Sequence, residues 1–190
     1  MIFMEMLSYP FLARAMLVGV LVSLCAALLG TPLVLKRYSM IGDGLSHVGF
    51  GSLAIATALD LAPLAVTVPV VALAAVLLLR ISQSGKIRGD AAIALISSGS
   101  LAVGVIVVSL TSGMNMNVSN YMFGSILTVS RADAVLSVVL CAAVIALFTL
   151  LYNRIFAVTF DETFAAATGT RAQLYNTLLA VLTAVTVVLG

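Results

Sequence analysis

Long apolar runs with few charges dominate the chain. A membrane-spanning helix needs about 20 apolar residues, and several runs are long enough to form one. A helix formed by any of these runs would be apolar around most of its circumference, as expected of helices buried in lipid or packed against one another. Runs free of Asp, Glu, Lys and Arg cover residues 15–35, 61–79, 91–130, 134–153 and 172–190.

Two regions of this pattern need a finer interpretation. The polar segment Thr111–Asn120 interrupts the run 91–130, so only its first part is assigned to a span. Residues 38–59 are mostly apolar and carry Asp43 and His47, and we assign a further span to them. The sequence therefore predicts an all-α, polytopic transmembrane fold with six spans, near residues 12–35, 38–59, 61–80, 91–111, 131–153 and 174–190.

The positions of the basic residues predict the orientation, because cytoplasmic loops carry an excess of Lys and Arg. We interpret the connections after the first, third and fifth spans as cytoplasmic, which places the N-terminal side outside. Arg14 opposes this orientation. The residues that support it are Lys36, Arg37, Arg80, Lys86, Arg88, Arg154 and Arg171.

Composition narrows the class of protein. Of the 190 residues, 63% are hydrophobic and 8% are charged, with a mean hydropathy of +1.25. Soluble proteins carry about 25% charged residues, so a soluble enzyme, a nucleic-acid-binding domain and a disordered chain are excluded. The net charge of +2 is too small to suggest a polyanionic partner. Cys25 and Cys141 lie in apolar runs without metal or redox spacing, and we expect both to be small buried hydrophobic residues.

The last predicted span reaches Gly190 with no charge or polar tail after it. We expect residues 1–190 to form a single transmembrane domain that is incomplete at its C-terminal end, with a cytoplasmic segment at 154–173.

Asp43 and His47 are the ionisable residues inside a predicted span, where such groups are costly and usually functional. Their i, i+4 spacing places both on one helix face. At about 1.5 Å per residue, His47 lies about 16 Å deeper than Lys36, near the middle of the bilayer core. Together they form a half-site for a divalent metal such as Zn²⁺ or Mn²⁺. Because His47 is the only histidine, the remaining ligands must come from elsewhere.

The alternative is a structural Asp–His pair that joins two helices without a metal. Glycines at positions 42, 44, 49 and 51 permit close helix packing around the pair. Irregular backbone at membrane depth is tolerated only against protein or a water-filled cavity. These residues leave both interpretations open.

The segment 154–173 predicts a short helix at about 160–168. Thr159 followed by Glu162 is typical of a capping box, and Gly169 is well placed to end the helix. Asp161 adds negative charge near the helix start, which the dipole favours.

This segment is either an ordinary structured loop or a docking helix. In the second case Phe160 and Phe164 would lie on one face as anchors for a cytoplasmic partner.

Three blocks of the sequence resemble the permease subunit of the ABC-3 family of bacterial metal-ion importers, the zinc and manganese uptake systems. Leu33–His47 contains a basic pair and then Gly-Asp-Gly-Leu-Ser-His, the most specific match. Asn120–Leu127 resembles a Leu-Phe-Gly segment of the family, with Met122 in place of the leucine. Phe160–Gly169 resembles the family's coupling segment.

The resemblance implies a multi-pass protein of the bacterial plasma membrane with about eight spans when complete. The implied partners are a second permease in a homodimer, a cytoplasmic dimer of ATP-binding subunits, an extracytoplasmic solute-binding protein and the lipid bilayer, without nucleic acid. ATP would bind the partner subunit, and this chain would be no enzyme and hold no catalytic cofactor. By matching position, Asp43 and His47 would line the ion pathway. ATPase coupling would involve Thr159, Phe160, Asp161, Glu162, Phe164 and Gly169.

The expected function is the permease of an ATP-driven importer that works by alternating access, with zinc as first choice and manganese as second. Zinc is preferred because the sequence Gly-Asp-Gly-Leu-Ser-His-Val is similar to the corresponding segment of zinc-uptake members. An ion-coupled secondary transporter, with Asp43 as a proton or ion relay, and a non-transporting membrane scaffold are the alternatives.

Overall fold

The computed structural model describes residues 9–38, 40–83, 89–112 and 131–190. These residues form helices without β-strands. In chain order the helices are α1 (Pro10–Leu35), α2 (Ile41–Ala58), α3 (Pro63–Gln83), α4 (Gly89–Ser112), α5 (Arg131–Leu150), α6 (Tyr152–Phe160), α7 (Glu162–Ala167) and α8 (Ala172–Leu189).

Five of these helices are long and apolar enough to cross a membrane, which confirms the all-α, multi-pass prediction. The stretches that qualify are Phe11–Leu35, Pro63–Gln83, Ala91–Thr111, Arg131–Leu150 and Ala172–Leu189. A sixth span was predicted at 38–59. The structure has α2 there, but α2 does not meet the same criterion, because its charged and glycine residues lower its hydropathy.

The region after α5 differs from the prediction. The span predicted at 131–153 ends earlier, at Leu150, and the chain continues after Leu151 as the separate helix α6. The resemblance block Asn120–Leu127 and the basic residues Lys86 and Arg88 lie outside the described residues.

Helix α8 joins two apolar clusters into one bundle. On one side it packs with α2 and α3, where Leu45, Val71 and Ala184 are fully buried. On the other side it packs with α1 and α5, in a cluster that includes Cys25 and Cys141.

The two cysteines confirm the expectation of small buried hydrophobic residues, with exposures of 0% for Cys25 and 1% for Cys141. The structure adds that they meet across the α1–α5 interface. The Cys25 thiol lies 3.7 Å from the Cys141 carbonyl oxygen and donates to it.

Glycines set the distance between α2 and α4. A Cβ atom on Gly51 would lie 2.8 Å from the carbonyl oxygen of Ser100, and one on Gly104 would lie 2.5 Å from the ring of Phe50. A Cβ on Gly44 would lie 2.6 Å from Ile93. The close approach expected from this glycine pattern is therefore present at Gly44 and Gly51, whereas Gly42 faces open space.

Candidate functional site

Asp43 and His47 lie together in the first two turns of α2. The Nε2 atom of His47 is 3.8 Å from Oδ1 of Asp43, which confirms that both side chains share one helix face. This distance exceeds that of a hydrogen bond. The two groups are near enough to approach a common ion from neighbouring positions.

Local structure favours a carboxylate at position 43. Asp43 is in the first turn of α2, where unpaired backbone N–H groups give the helix end a partial positive charge. Met40 precedes the helix without a side-chain cap. The hydroxyl of Ser46 donates a hydrogen bond to the backbone oxygen of Asp43 at 2.7 Å. This bond does not involve the side-chain carboxylate of Asp43.

The two side chains differ in exposure. The side chain of His47 is 20% exposed and that of Asp43 is 63% exposed. The Nδ1 atom of His47 is buried and has no hydrogen-bond partner within the described structure. The imidazole of His47 is therefore more enclosed than the carboxylate of Asp43.

The donor set suits a divalent first-row metal, since imidazole nitrogen and carboxylate oxygen both bind zinc and manganese. Within the described ranges no group of three His, Cys, Asp or Glu side chains could hold a metal. The metal half-site at Asp43 and His47 therefore stays a prediction, beside the alternative of a structural Asp–His pair.

The segment that resembles the family's coupling segment forms a helix, but the predicted capping box is wrong. Asp161 caps α7 instead, and its Oδ1 accepts a hydrogen bond from the N–H of Phe164 at 2.9 Å. Thr159 lies inside α6, where its hydroxyl donates to the carbonyl of Ile155 at 2.7 Å. The physical reason is that α6 extends to Phe160, so the chain leaves helical geometry at Asp161 and not at Thr159.

The cap also changes the acidity of Asp161. The N–H of Phe164, followed by the hydroxyl of Thr163 at 2.6 Å, stabilises the charged carboxylate and lowers the pKa of Asp161.

The end of α7 confirms the prediction that Gly169 ends this helix. Gly169 has a φ of +84°, a conformation that glycine adopts without steric cost. Its N–H donates to the carbonyl oxygen of Ala166, and the N–H of Thr170 donates to the carbonyl oxygen of Ala165. These two bonds form a Schellman motif.

Phe160 and Phe164 are both exposed, at 62% and 65%. They do not share one helix, because Phe160 ends α6 and Phe164 lies in α7. The ring of Phe160 is 4.4 Å from that of Phe156 between centroids, and Tyr152 continues the same row. The expected common face is thus replaced by an aromatic row on α6 and a separate ring on α7.

Glu162 has contacts that the sequence did not indicate. Its Oε2 pairs with Nζ of Lys36 at 3.1 Å, and its Oε1 accepts from Nδ2 of Asn176 at 3.0 Å. Lys36 and Glu162 are 126 positions apart, so no local pattern could have revealed their pairing.

Comparison with known proteins gives a consistent family match. The sequence profile described as the ABC 3 transport family matches residues 8–190. A manganese transport system membrane protein of Halalkalibacterium halodurans is 26% identical over 95% of this chain and 62% of its own length. A probable metal transport system membrane protein of Treponema pallidum is 31% identical over 96% of this chain and 68% of its own length.

A solved structure shows the same fold. PsaBC from Streptococcus pneumoniae, in complex with a Fab, matches with a TM-score of 0.81 and 26% identity over 98% of this chain. The match covers 68% of that neighbour's chain. The present chain thus spans about two thirds, or slightly less, of the length of the relatives it matches.

Proposed function

Because the chain belongs to the ABC 3 transport family, we propose that this multi-pass plasma-membrane protein is the permease of a divalent metal importer. One observation carries the proposal: the side chains of Asp43 and His47 lie 3.8 Å apart on α2, a helix that packs against α3, α4 and α8. Ionisable groups in such surroundings are typical of ion pathways. The transported metal is a substrate of this pair and is held only transiently.

Manganese takes first place among the candidate ions. The relative from Halalkalibacterium halodurans is named for manganese transport. Zinc takes second place, although the sequence of the Gly-Asp-Gly-Leu-Ser-His-Val segment made it the first choice. The ligands alone do not decide, because imidazole and carboxylate accept both metals.

The transport mechanism in this proposal is alternating access driven by separate ATP-binding subunits. An extracytoplasmic solute-binding protein would deliver the ion, and a second permease would complete a homodimer. Asp43 and His47 would supply only part of the metal's ligands, so the remaining ligands would come from outside the described part of the chain. The ATPase would dock on the cytoplasmic side at α6 and α7, where Phe160 and Phe164 are exposed.

The test is metal uptake in a bacterial strain that lacks its own manganese and zinc importers. The gene product that contains this chain, at its full encoded length, is expressed with its ATPase and binding protein. We expect Asp43→Asn and His47→Ala to lower the initial uptake rate at least about tenfold, the loss expected when a ligand is removed. Ser46→Ala is the matched control, because Ser46 is exposed in the same turn and contacts only the backbone of Asp43.

The outcomes separate the functional classes. Unchanged uptake in the His47→Ala variant at normal protein abundance would contradict the metal pathway and favour a scaffold. Uptake that continues without any ATPase would favour an ion-coupled secondary transporter. Parallel measurements with manganese, zinc and iron decide the ion.

A further inference from the structure

Lys36 is a largely enclosed cation at the cytoplasmic end of α1 in the predicted orientation. Its side chain is 9% exposed, whereas its partner Glu162 is 51% exposed. A buried ammonium group is costly unless a counter-charge and hydrogen bonds satisfy it. The 3.1 Å contact with Glu162 supplies that counter-charge. This contact therefore differs from an ordinary surface ion pair, which contributes little.

Glu162 uses its two oxygen atoms for two different helices. One accepts from Lys36, the residue directly after α1, and the other accepts from Asn176 of α8, which is 4% exposed. Glu162 is also the first residue of α7. The start of the coupling helix is thus bonded to two of the long helices at once.

Lys36 also lies next to the start of α2. It follows Leu35, the last residue of α1, and precedes a tight turn in which Arg37 has a φ of +61° and the N–H of Tyr38 donates to the carbonyl oxygen of Leu33 at 2.9 Å. The N–H of Ile41 then donates to Tyr38 at 3.1 Å. A non-glycine residue in the left-handed region persists only where its surroundings hold it, so the backbone at Arg37 is held in place beside the Tyr38–Leu33 and Ile41–Tyr38 hydrogen bonds.

The same residues meet around a small gap of about 10 Å³, lined in part by Lys36, Tyr38, Ile41 and Asn176. Ile41 is 3% exposed and packs against α3 and α8. Asp43 follows two residues later. Lys36 and the beginning of α2, which carries the Asp43–His47 pair, are therefore neighbours around this gap.

We propose that Lys36, Glu162 and Asn176 form a polar brace that transmits movement of α7 to the α1–α2 turn, which makes Lys36 and Glu162 positioning residues for the metal pathway. This inference rests on the proposed function. It assigns the brace a role in coupling and no direct contact with the metal. The brace gives α7 a contact through which ATPase-driven movement reaches Asp43.

The test compares transport with ATP hydrolysis in the purified complete complex, reconstituted in vesicles with its ATPase and binding protein. Lys36→Met and Glu162→Gln remove the charge attraction while keeping similar volume. We expect metal transported per ATP hydrolysed to fall about tenfold, within the range for coupling residues. Lys36→Arg should retain most of the coupling. Arg37→Gln, which removes an exposed charge from the same turn, is the matched control.

Each outcome decides the question. Reduced transport per ATP in Lys36→Met and Glu162→Gln, with normal complex assembly and melting temperature, supports the brace. Unchanged transport per ATP overturns it, and so does a parallel loss of transport, hydrolysis and melting temperature, which indicates a structural role only. If the wild-type complex transports no metal, the proposed function fails; if it does and the variants couple normally, only the brace fails.

Discussion

The α2–α4 interface and the α7 region are stabilised in opposite ways. Between α2 and α4 the helices approach because side chains are missing at Gly51 and Gly104. Around α7 the contacts are specific polar bonds, from the Asp161 cap to the pairing of Glu162 with Lys36.

This difference indicates which amino-acid substitutions each region can tolerate without losing stability. An interface built on missing side chains has no room for an added methyl group, but it does not depend on charge. A short helix held by caps and ion pairs has room for larger side chains on its exposed face, but it depends on backbone conformation and protonation. Helix packing through small residues is typical of membrane interiors, whereas six-residue helices need such bonds to persist.

The largest effect should come from Gly51→Ala. The new Cβ would lie 2.8 Å from the backbone oxygen of Ser100, and backbone cannot move aside cheaply. We expect a loss of about 1–3 kcal/mol in the free energy of unfolding, as for other overpacked cores. Thermal unfolding in detergent measures it. Gly42→Ala is the matched control in the same helix, because its Cβ would meet open space; equal effects for the two variants would contradict the close packing.

A smaller effect is expected for Gly169→Ala. No atom lies within 4 Å of the new Cβ, so the cost comes only from the φ of +84°. A left-handed non-glycine residue costs about 1–2 kcal/mol, and the change should lower the melting temperature accordingly. Gly19→Ala adds the same methyl group inside α1, also in open space, and should be neutral or slightly stabilising. A Gly169→Ala variant as stable as Gly19→Ala would mean that α7 does not need this ending.

Local pattern was sufficient for the helices and for the Asp43–His47 pair. Apolar runs of span length predicted the long helices because lipid requires every backbone group to bond within its own segment. The i, i+4 spacing was enough to place Asp43 beside His47. Gly169 was identified from its position after a run of alanines, where helices commonly end.

Long-range contacts could not be predicted in the same way. The Lys36–Glu162 pair and the meeting of Cys25 with Cys141 depend on how helices pack, and neither pair has a local spacing. The capping box predicted at Thr159 failed for a related reason: α6 continues through this residue to Phe160. Only the course of the preceding helix selects Asp161.

The smallest effect is expected for Asp161→Asn, which keeps a hydrogen-bond acceptor but removes the charge at the start of α7. The pKa of Asp161 is lowered in the folded protein by the N–H of Phe164. Its stabilising contribution is therefore present above the unfolded-state pKa and is lost as the pH falls through the lowered folded-state pKa. The wild-type protein should lose this part of its thermal stability on acidification, and Asp161→Asn should lack it. Melting curves from neutral to strongly acidic pH measure the difference, with Asp60→Asn as a control that removes an exposed carboxylate from the turn between α2 and α3. Parallel pH profiles for the wild type and Asp161→Asn would show that the charge at position 161 does not stabilise α7, leaving Glu162 and Gly169 to hold this helix.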